Sequence, residues 1–190
     1  MKVEKLLSLV GATVAAVFFC CSAEIVWVLY GPGWEPSIPV FAVLSISVYF
    51  QMMGNTSGAF FQSLGHTDFL FREGLINICI TFCGLFLGFF GGSILTVAYG
   101  IGTAYCLHEI AIVYYLVYRS FGKTPRCLKA FLPEIVTCLI AVAACHTLSH
   151  FIDLPLVCSL VVKLTVVLGI MAFGYWCSGQ LVYLKQLITR

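Results

Sequence analysis

The sequence predicts an all-α protein: a polytopic transmembrane helix bundle of about six spans with both termini in the cytoplasm. Three observations predict this fold, namely the composition, the number of apolar runs and the positions of the basic residues. Of the 190 residues, 61% are hydrophobic and only 9% are charged, and the mean hydropathy is +1.04. Soluble domains have about 25% charged residues, so this chain belongs in a bilayer. The formal net charge of +2 lacks the basic excess of a nucleic-acid-binding protein, and we predict no nucleic-acid partner.

Six apolar runs are long enough to span a bilayer, which takes about 20 residues. They occupy residues 6–29, 36–61, 73–90, 94–118, 130–150 and 155–178. We therefore expect a single transmembrane domain over residues 1–190. A cleavable signal peptide is the alternative for residues 1–23. The apolar run continues to Tyr30, past the core of about 7–15 residues that is typical of a signal, and this length favours a span.

The basic residues mark one side of the predicted bundle. All Lys and Arg residues except Lys163 fall at the chain termini or in the links of that side. They are Lys2, Lys5, Arg72, Arg119, Lys123, Arg126, Lys129, Lys185 and Arg190. The links on the opposite side contain no Lys or Arg. Because basic residues concentrate in cytoplasmic loops, both termini are predicted to be cytoplasmic, and the regular alternation supports six spans.

The ten cysteines are predicted to act as small apolar side chains. Nine of them lie within or at the edge of an apolar run, and the sequence contains no CxxC motif. Cys79 and Cys83 share a helix face, and Cys106 lies near His108, but no set of four ligands accompanies them. We expect neither a metal site nor a cofactor.

The first predicted span carries Glu24 near its outer end. A carboxylate at that depth either reaches the membrane surface or pairs inside the bundle, and the sequence leaves both possibilities open. Glu35 follows in the outer turn, where we expect water to solvate it. Trp34 suits the boundary between membrane and water. Pro36 suits the first turn of the next helix, because its missing N–H costs nothing there.

The second predicted span carries one narrow polar stripe on an otherwise apolar helix. At about 100° per residue, its polar and small residues fall within an arc of about 80°. They are Ser37, Ser47, Gln51, Asn55, Gly58 and Gln62. Amide side chains that faced lipid would lack hydrogen-bond partners, so the stripe must face other helices or a wet cavity. We predict that Ser47, Gln51, Asn55 and Gln62 line a substrate pathway.

Two short motifs flank this span, one helix length apart. Residues 24–26 (EIV) lead into residues 30–39 (YGPGWEPSIP), and residues 61–68 (FQSLGHTD) follow the span. Both resemble motifs of the polysaccharide-repeat (O-antigen type) flippases of the multidrug/oligosaccharidyl-lipid/polysaccharide exporter superfamily. The first is similar to that family's glycine–x–x–tryptophan outer turn, and the second to its alanine/serine–x–glycine–arginine–threonine–aspartate inner link. His66 stands where the family commonly has arginine, which leaves the fixed cytoplasmic charge of this link to Arg72.

The resemblance extends loosely over the rest of the chain. It includes Asn77, Gly91, Gly92, residues 129–133, Lys163, Gly169 and Tyr175. Members of that family have about twice as many spans as are predicted here, and the motifs of this chain resemble the late part of such a carrier. We therefore expect the chain to belong to a larger transporter, as a fragment, as one piece of a split carrier or as a self-associating remnant.

The third and fourth predicted spans contain residues for close packing and one deep carboxylate. Gly84 and Gly88 have the GxxxG spacing of a tight helix contact, and Gly54 and Gly58 repeat this spacing on the second span. Glu109 lies well inside the fourth span. An isolated carboxylate is costly in a low-dielectric interior, so we expect Glu109 to be protonated or paired. It is either a structural hydrogen-bonding residue or a proton-coupling group.

The fifth and sixth predicted spans add residues near the membrane surfaces and one deep lysine. Glu134 starts the fifth span and His146 lies near its outer end, and we expect both to be interfacial. Lys163 lies too deep in the sixth span to reach the headgroups. It requires water, an anionic ligand or an acidic partner, for which Glu24 and Glu109 are candidates.

The resemblance implies a carrier in the bacterial inner membrane that supplies polysaccharide or lipopolysaccharide synthesis. It would move oligosaccharide, linked through a pyrophosphate to a polyprenyl lipid, from the cytoplasmic to the outer leaflet by alternating access. Its partners would be membrane lipids and polyprenyl-pyrophosphate-linked oligosaccharide. The amide stripe would bind sugar hydroxyls, Lys163 the pyrophosphate, and Glu109 a coupling proton. Six spans form only one lobe of such a carrier, so a missing transporter half or self-association is expected.

Three other functions remain open. An integral-membrane enzyme acting on lipid-linked sugars would use His108 and Glu109 as an acid–base pair, although adjacent residues of a helix point about 100° apart. A non-transporting assembly subunit would bind a partner through its glycine faces. A carrier of drugs is disfavoured by the inner-link motif. No phosphate-binding loop occurs in the sequence, so direct use of ATP is not expected, and we predict that the chain is not an enzyme.

Overall fold

The computed structural model describes residues 2–63, 65, 67–121, 132–151 and 155–179. Within these ranges it contains seven α-helices and no strand, which confirms the predicted all-α class. The helices are α1 (Lys2–Cys20), α2 (Ser22–Tyr30), α3 (Ser37–Ser63), α4 (Thr67–Phe89), α5 (Ile94–Phe121), α6 (Leu132–Phe151) and α7 (Leu156–Cys177). Several residues of the charge and motif predictions lie outside the described residues, namely His66, Lys123, Arg126, Lys129, Lys185 and Arg190.

Four of these helices, α4, α5, α6 and α7, are long and apolar enough to cross a membrane. Together α1 and α2 qualify as a fifth span, although a bend of 72° separates them. The predicted span over residues 36–61 corresponds to α3, whose apolar part, Ser37–Met52, is a shorter apolar helix. The described helices thus fit a multi-pass membrane protein with four to five spans by length and composition.

The first predicted span is broken at Cys21 into α1 and α2. The bend brings α2 into contact with α3 and α7. Proline, glycine–serine pairs and inserted side chains are the usual causes of a sharp kink, and the sequence around Cys21 contains neither proline nor glycine. The apolar pattern therefore runs through the break, and the predicted span over residues 6–29 corresponds to this bent pair of helices.

The turn after α2 forms where the sequence predicts it. Gly31 and Gly33 have φ angles of 74° and 98°, a region that glycine adopts without steric cost. The Gly31 N–H donates a hydrogen bond to the Trp27 carbonyl oxygen at 3.1 Å, which ends the helix. The next helix, α3, then begins at Ser37. This turn reverses the chain and sets α3 beside α1.

The central helix of the fold is α1, which packs against α3 on one side and against α6 and α7 on the other. On the far side of α3 lies α5, and α4 packs in turn against α5. The core around α1 consists mostly of small and apolar side chains, namely Leu9, Ala12, Ala15, Ala16, Tyr49, Ala141, Cys145, Val167, Met171 and Tyr175. Helix α1 thus contributes to the centre of the described core.

The glycines of α4 make a close contact with α5, as their spacing predicts. A Cβ atom on Gly84 would overlap the Gly100 carbonyl oxygen and would lie 2.8 Å from the Ala104 Cβ atom. A Cβ atom on Gly88 would lie 2.6 Å from the Val97 Cα atom. Only glycine permits such an approach of two helix backbones. This glycine face is therefore used inside the chain.

Candidate functional site

A cleft of about 320 Å³ lies between α1, α3 and α5, and it contains part of the predicted polar stripe. Its polar lining consists of Ser45, Ser47, Gln51 and Tyr105. Its apolar lining consists of Phe18, Phe41, Leu44, Val48 and Ile101. We call it the α1–α3–α5 cleft. Hydroxyl and amide groups thus meet aromatic and aliphatic surface in one place, a combination typical of ligand sites.

Hydrogen bonds within α3 orient the polar groups of this cleft. The Ser47 hydroxyl donates to the Leu44 carbonyl oxygen at 2.7 Å, and it accepts a bond of 3.0 Å from the Gln51 amide nitrogen. Ser45 donates in the same way to the Ala42 carbonyl oxygen at 2.7 Å. Ser47 is buried, whereas Gln51 is exposed. The amide of Gln51 is therefore held by its neighbour and still has donor and acceptor capacity for a ligand.

The other two predicted residues of the stripe lie further along α3. Gln62 is exposed near the end of the helix, about 16 Å from Gln51 along its axis. Asn55 lies on α3 between them, and its side chain is outside the described residues. The stripe thus runs from the α1–α3–α5 cleft towards the end of α3, and Ser47 and Gln51 are the members that the cleft contains.

A cluster of titratable side chains joins α4 and α5. His108 is 2% exposed, and its Nε2 atom lies 3.3 Å from Oε1 of Glu73 on α4. Its Nδ1 atom lies 3.6 Å from Oε1 of the neighbouring Glu109. We call these three residues the carboxylate–histidine cluster. The side chains of Glu73 and Glu109 are themselves mostly buried, at 19% and 13% exposed.

The cluster also contacts α3 through a glycine. A Cβ atom on Gly54 would overlap the Glu109 carboxyl group, so the carboxyl group occupies the space that a larger residue would fill. For Gly58, the second glycine of that predicted pair, no atom of the described residues lies within 4 Å of such a position. Gly54 is thus a contact point on α3, and it receives a side chain instead of a helix backbone.

The deep lysine of the last helix is paired inside the bundle. Lys163 on α7 forms an ion pair with Glu24 on α2, and both side chains are nearly buried. The Ser159 hydroxyl donates a hydrogen bond of 2.7 Å to Oε1 of Glu24. The two open questions about these residues have one answer: Glu24 does not reach the surface, and Lys163 finds an acidic partner. In this state, Lys163 is not free to bind a pyrophosphate. Pyrophosphate binding by Lys163 remains a prediction.

Sequence reasoning missed a second buried carboxylate, Glu134. It was expected to be interfacial, but it is 0% exposed, at the point where α1, α3 and α6 meet. The Ser8 hydroxyl donates to its Oε2 atom, and the Tyr49 hydroxyl donates to the same atom at 3.2 Å. These two donors offset the cost of burying the carboxyl group. The available signal was an acidic residue next to a proline at the start of an apolar helix, which is equally typical of a solvated helix end.

Glu73 was also missed, because it is the first residue of the predicted span 73–90, directly after Arg72, where an acidic residue is typical of a solvated helix end. Its position becomes informative only when α4 packs on α5 and brings it to His108. Among the described residues, no three His, Cys, Asp or Glu side chains are arranged to hold a metal ion.

Comparison with known proteins returns no match: no family model fits the chain, and neither the curated proteins nor the solved structures contain a significant relative.

Proposed function

We propose that this chain is one lobe of a membrane carrier that flips lipid-linked oligosaccharide or polysaccharide repeat units across the bacterial inner membrane. In this proposal, six helical segments cross the membrane, both termini are cytoplasmic, and transport follows alternating access. The α1–α3–α5 cleft carries the proposal. Its amide and hydroxyl groups lie among aromatic and aliphatic side chains, which suits a substrate with a polar sugar and an apolar lipid tail.

A second lobe completes the cavity in this proposal. The cleft of about 320 Å³ is at the small end of ligand pockets, which span about 300–1,000 Å³, and an oligosaccharide is larger than a typical small-molecule ligand. Among the described helices, α4 lies beyond α5, while α6 and α7 lie on the other side of α1. The opposite wall therefore comes from further helices, either a missing transporter half or a second copy of this chain.

Two of the three other functions, an enzyme and an assembly subunit, have less support. An enzyme would need its acid–base pair to reach a substrate, but His108 is 2% exposed and its two ring nitrogens face carboxylates of the same chain. An assembly subunit that bound its partner through the glycine pair of α4 is disfavoured, because Gly84 and Gly88 already contact α5.

Replacing Gln51 with leucine tests the proposal, because leucine keeps the bulk of the side chain and removes its amide. We expect the rate of oligosaccharide flipping to fall about tenfold, the effect of one lost hydrogen bond of about 1.4 kcal/mol. The measurement is lectin labelling of oligosaccharide at the outer leaflet. It uses cells that lack the chain and are complemented with wild type or variant, so that any second lobe is present.

Thr165→Val is the matched control. Thr165 is an exposed residue of α7 whose hydroxyl bonds to its own helix, and its loss should leave flipping unchanged. Equal rates for wild type and Gln51→Leu at equal protein levels would contradict the proposed role of the cleft. Normal lectin labelling in cells without the chain would contradict the carrier function itself.

A further inference from the structure

The carboxylate–histidine cluster lies one helical turn from the α1–α3–α5 cleft. On α3, Gly54 follows Gln51 by three residues, and on α5, Glu109 follows Tyr105 by four. Residues at these spacings are neighbours on one face of a helix. Since α3 and α5 pack side by side, the cleft and the cluster are consecutive layers of the same helix interface.

Few other charges face this cluster. The packing partners of α5 are α3 and α4, and α3 contains no Asp, Glu, His, Lys or Arg. On α4, Asp68 and Arg72 are exposed in the first turns, and on α5 the side chain of Arg119 lies outside the described residues. Among the described residues, no Lys or Arg lies within ion-pair distance of Glu73 or Glu109. The imidazole is therefore the cationic group that the described structure offers to both carboxylates.

This arrangement gives the cluster a charge that depends on bound protons. With a neutral imidazole and two ionised carboxylates, two negative charges share a mostly buried site, which is costly in a low-dielectric interior. A proton on the imidazole places a positive charge 3.3 Å from one carboxylate oxygen and 3.6 Å from the other, and it lowers the net negative charge of the site by one. A further proton on a carboxylate oxygen makes the site neutral.

We propose that Glu73, His108 and Glu109 form a proton-binding site that controls the contact between α3 and α5 next to the cleft. Proton uptake changes the charge of the Glu109 carboxyl group that rests on Gly54, and so changes how α5 is held against α3. The coupling of this site to transport rests on the proposed carrier function, whereas proton binding itself does not.

Infrared difference spectroscopy of the full chain in lipid nanodiscs tests proton binding directly. The spectra compare about pH 8 with about pH 5.5, a range in which exposed carboxylates stay ionised. We expect the C=O stretch of a protonated carboxylic acid to appear in the wild type at the lower pH. Glu109→Gln or Glu73→Gln should remove most of this band. The control is Glu35→Gln, an exposed carboxylate of the outer turn, and it should retain the band.

A glycine pair tests the contact with α3 while all three titratable groups remain. Gly54→Ala should displace the Glu109 carboxyl group and alter the band in frequency or in pH range. Gly58→Ala adds the same methyl group to the same helix at a position that no described side chain occupies, and it should leave the band as in the wild type. A wild type without the band, or a band that survives both carboxamide variants and Gly54→Ala, would overturn the proposal.

Flipping in cells separates this inference from the carrier function. With the proton gradient collapsed by a protonophore, the wild type should lose most of its flipping rate, and Glu109→Gln should be slow with or without the gradient. Flipping that does not depend on the gradient, with the infrared band present, would overturn the coupling. A chain that binds the proton but flips no oligosaccharide would contradict the carrier function and leave the proton site standing.

Discussion

Replacing Lys163 with methionine is expected to destabilise the protein by about 3–5 kcal/mol, the effect of removing one partner of a buried ion pair. Methionine fills similar space, so the loss reports the missing charge and not a cavity. Glu24 would keep its bond to Ser159 but would have to stay charged without its cation or take up a proton. Either outcome weakens the link between α2 and α7. The midpoint of thermal unfolding in detergent micelles measures the effect.

The double variant Glu24→Gln/Lys163→Met isolates the pair. Because neither charge remains, it should lose less stability than the sum of the two single variants, which indicates coupling between them. Glu35→Gln is the control, since its carboxylate is exposed and bonds only within the outer turn, to the Gly33 N–H. The ion pair would be irrelevant to stability if Lys163→Met unfolded at the same temperature as Glu35→Gln, or if the two single effects simply added.

Gly84→Ala is expected to destabilise the contact between α4 and α5 by about 1–3 kcal/mol. The new methyl group would meet the Gly100 carbonyl oxygen and the Ala104 side chain, so the helix backbones would have to move apart. Unlike a long side chain, a backbone cannot rotate away. Thermal unfolding of the purified chain provides the comparison with the wild type.

Gly74→Ala is the matched control on the same helix. No atom of the described residues lies within 4 Å of the position of its added Cβ atom, and alanine is the better helix former by about 0.5–1 kcal/mol. We therefore expect opposite signs: Gly74→Ala unfolds at or above the wild-type temperature, and Gly84→Ala unfolds below it. The same sign for both variants would show that the close contact does not decide the stability of α4.

Periodicity and turn chemistry predict most of the fold because each depends on nearby residues. The all-α class, the turn at Gly31 and Gly33, and the contact of Gly84 with α5 follow from composition or short spacing. The break at Cys21 does not, because no proline or glycine marks it. It depends on where α2 can pack, and that is set by helices distant in the sequence.

The candidate site is predictable only in part, for the same reason. Ser47 and Gln51 share one stripe of one helix, so their common location could be inferred from helical spacing. Lys163 needed some partner, but only the packing of α2 on α7 selects Glu24. Glu73 carries no signal of its own until α4 brings it to the imidazole. Local patterns identify polar residues that need a partner, and the tertiary fold decides which partner they receive.

The contact between substrate sugar and the α1–α3–α5 cleft can be measured by photo-crosslinking. A photoreactive amino acid is placed at Gln51 or at Leu168, an exposed residue on α7 that serves as the control. Membranes with a tagged lipid-linked oligosaccharide are then illuminated. If the chain is a carrier with this cleft as its pathway, the sugar crosslinks at position 51 and not at position 168. Excess untagged substrate should reduce the crosslinking at position 51. Equal labelling of both positions, or no labelling at position 51, would contradict the claim that the cleft is the substrate pathway of a carrier.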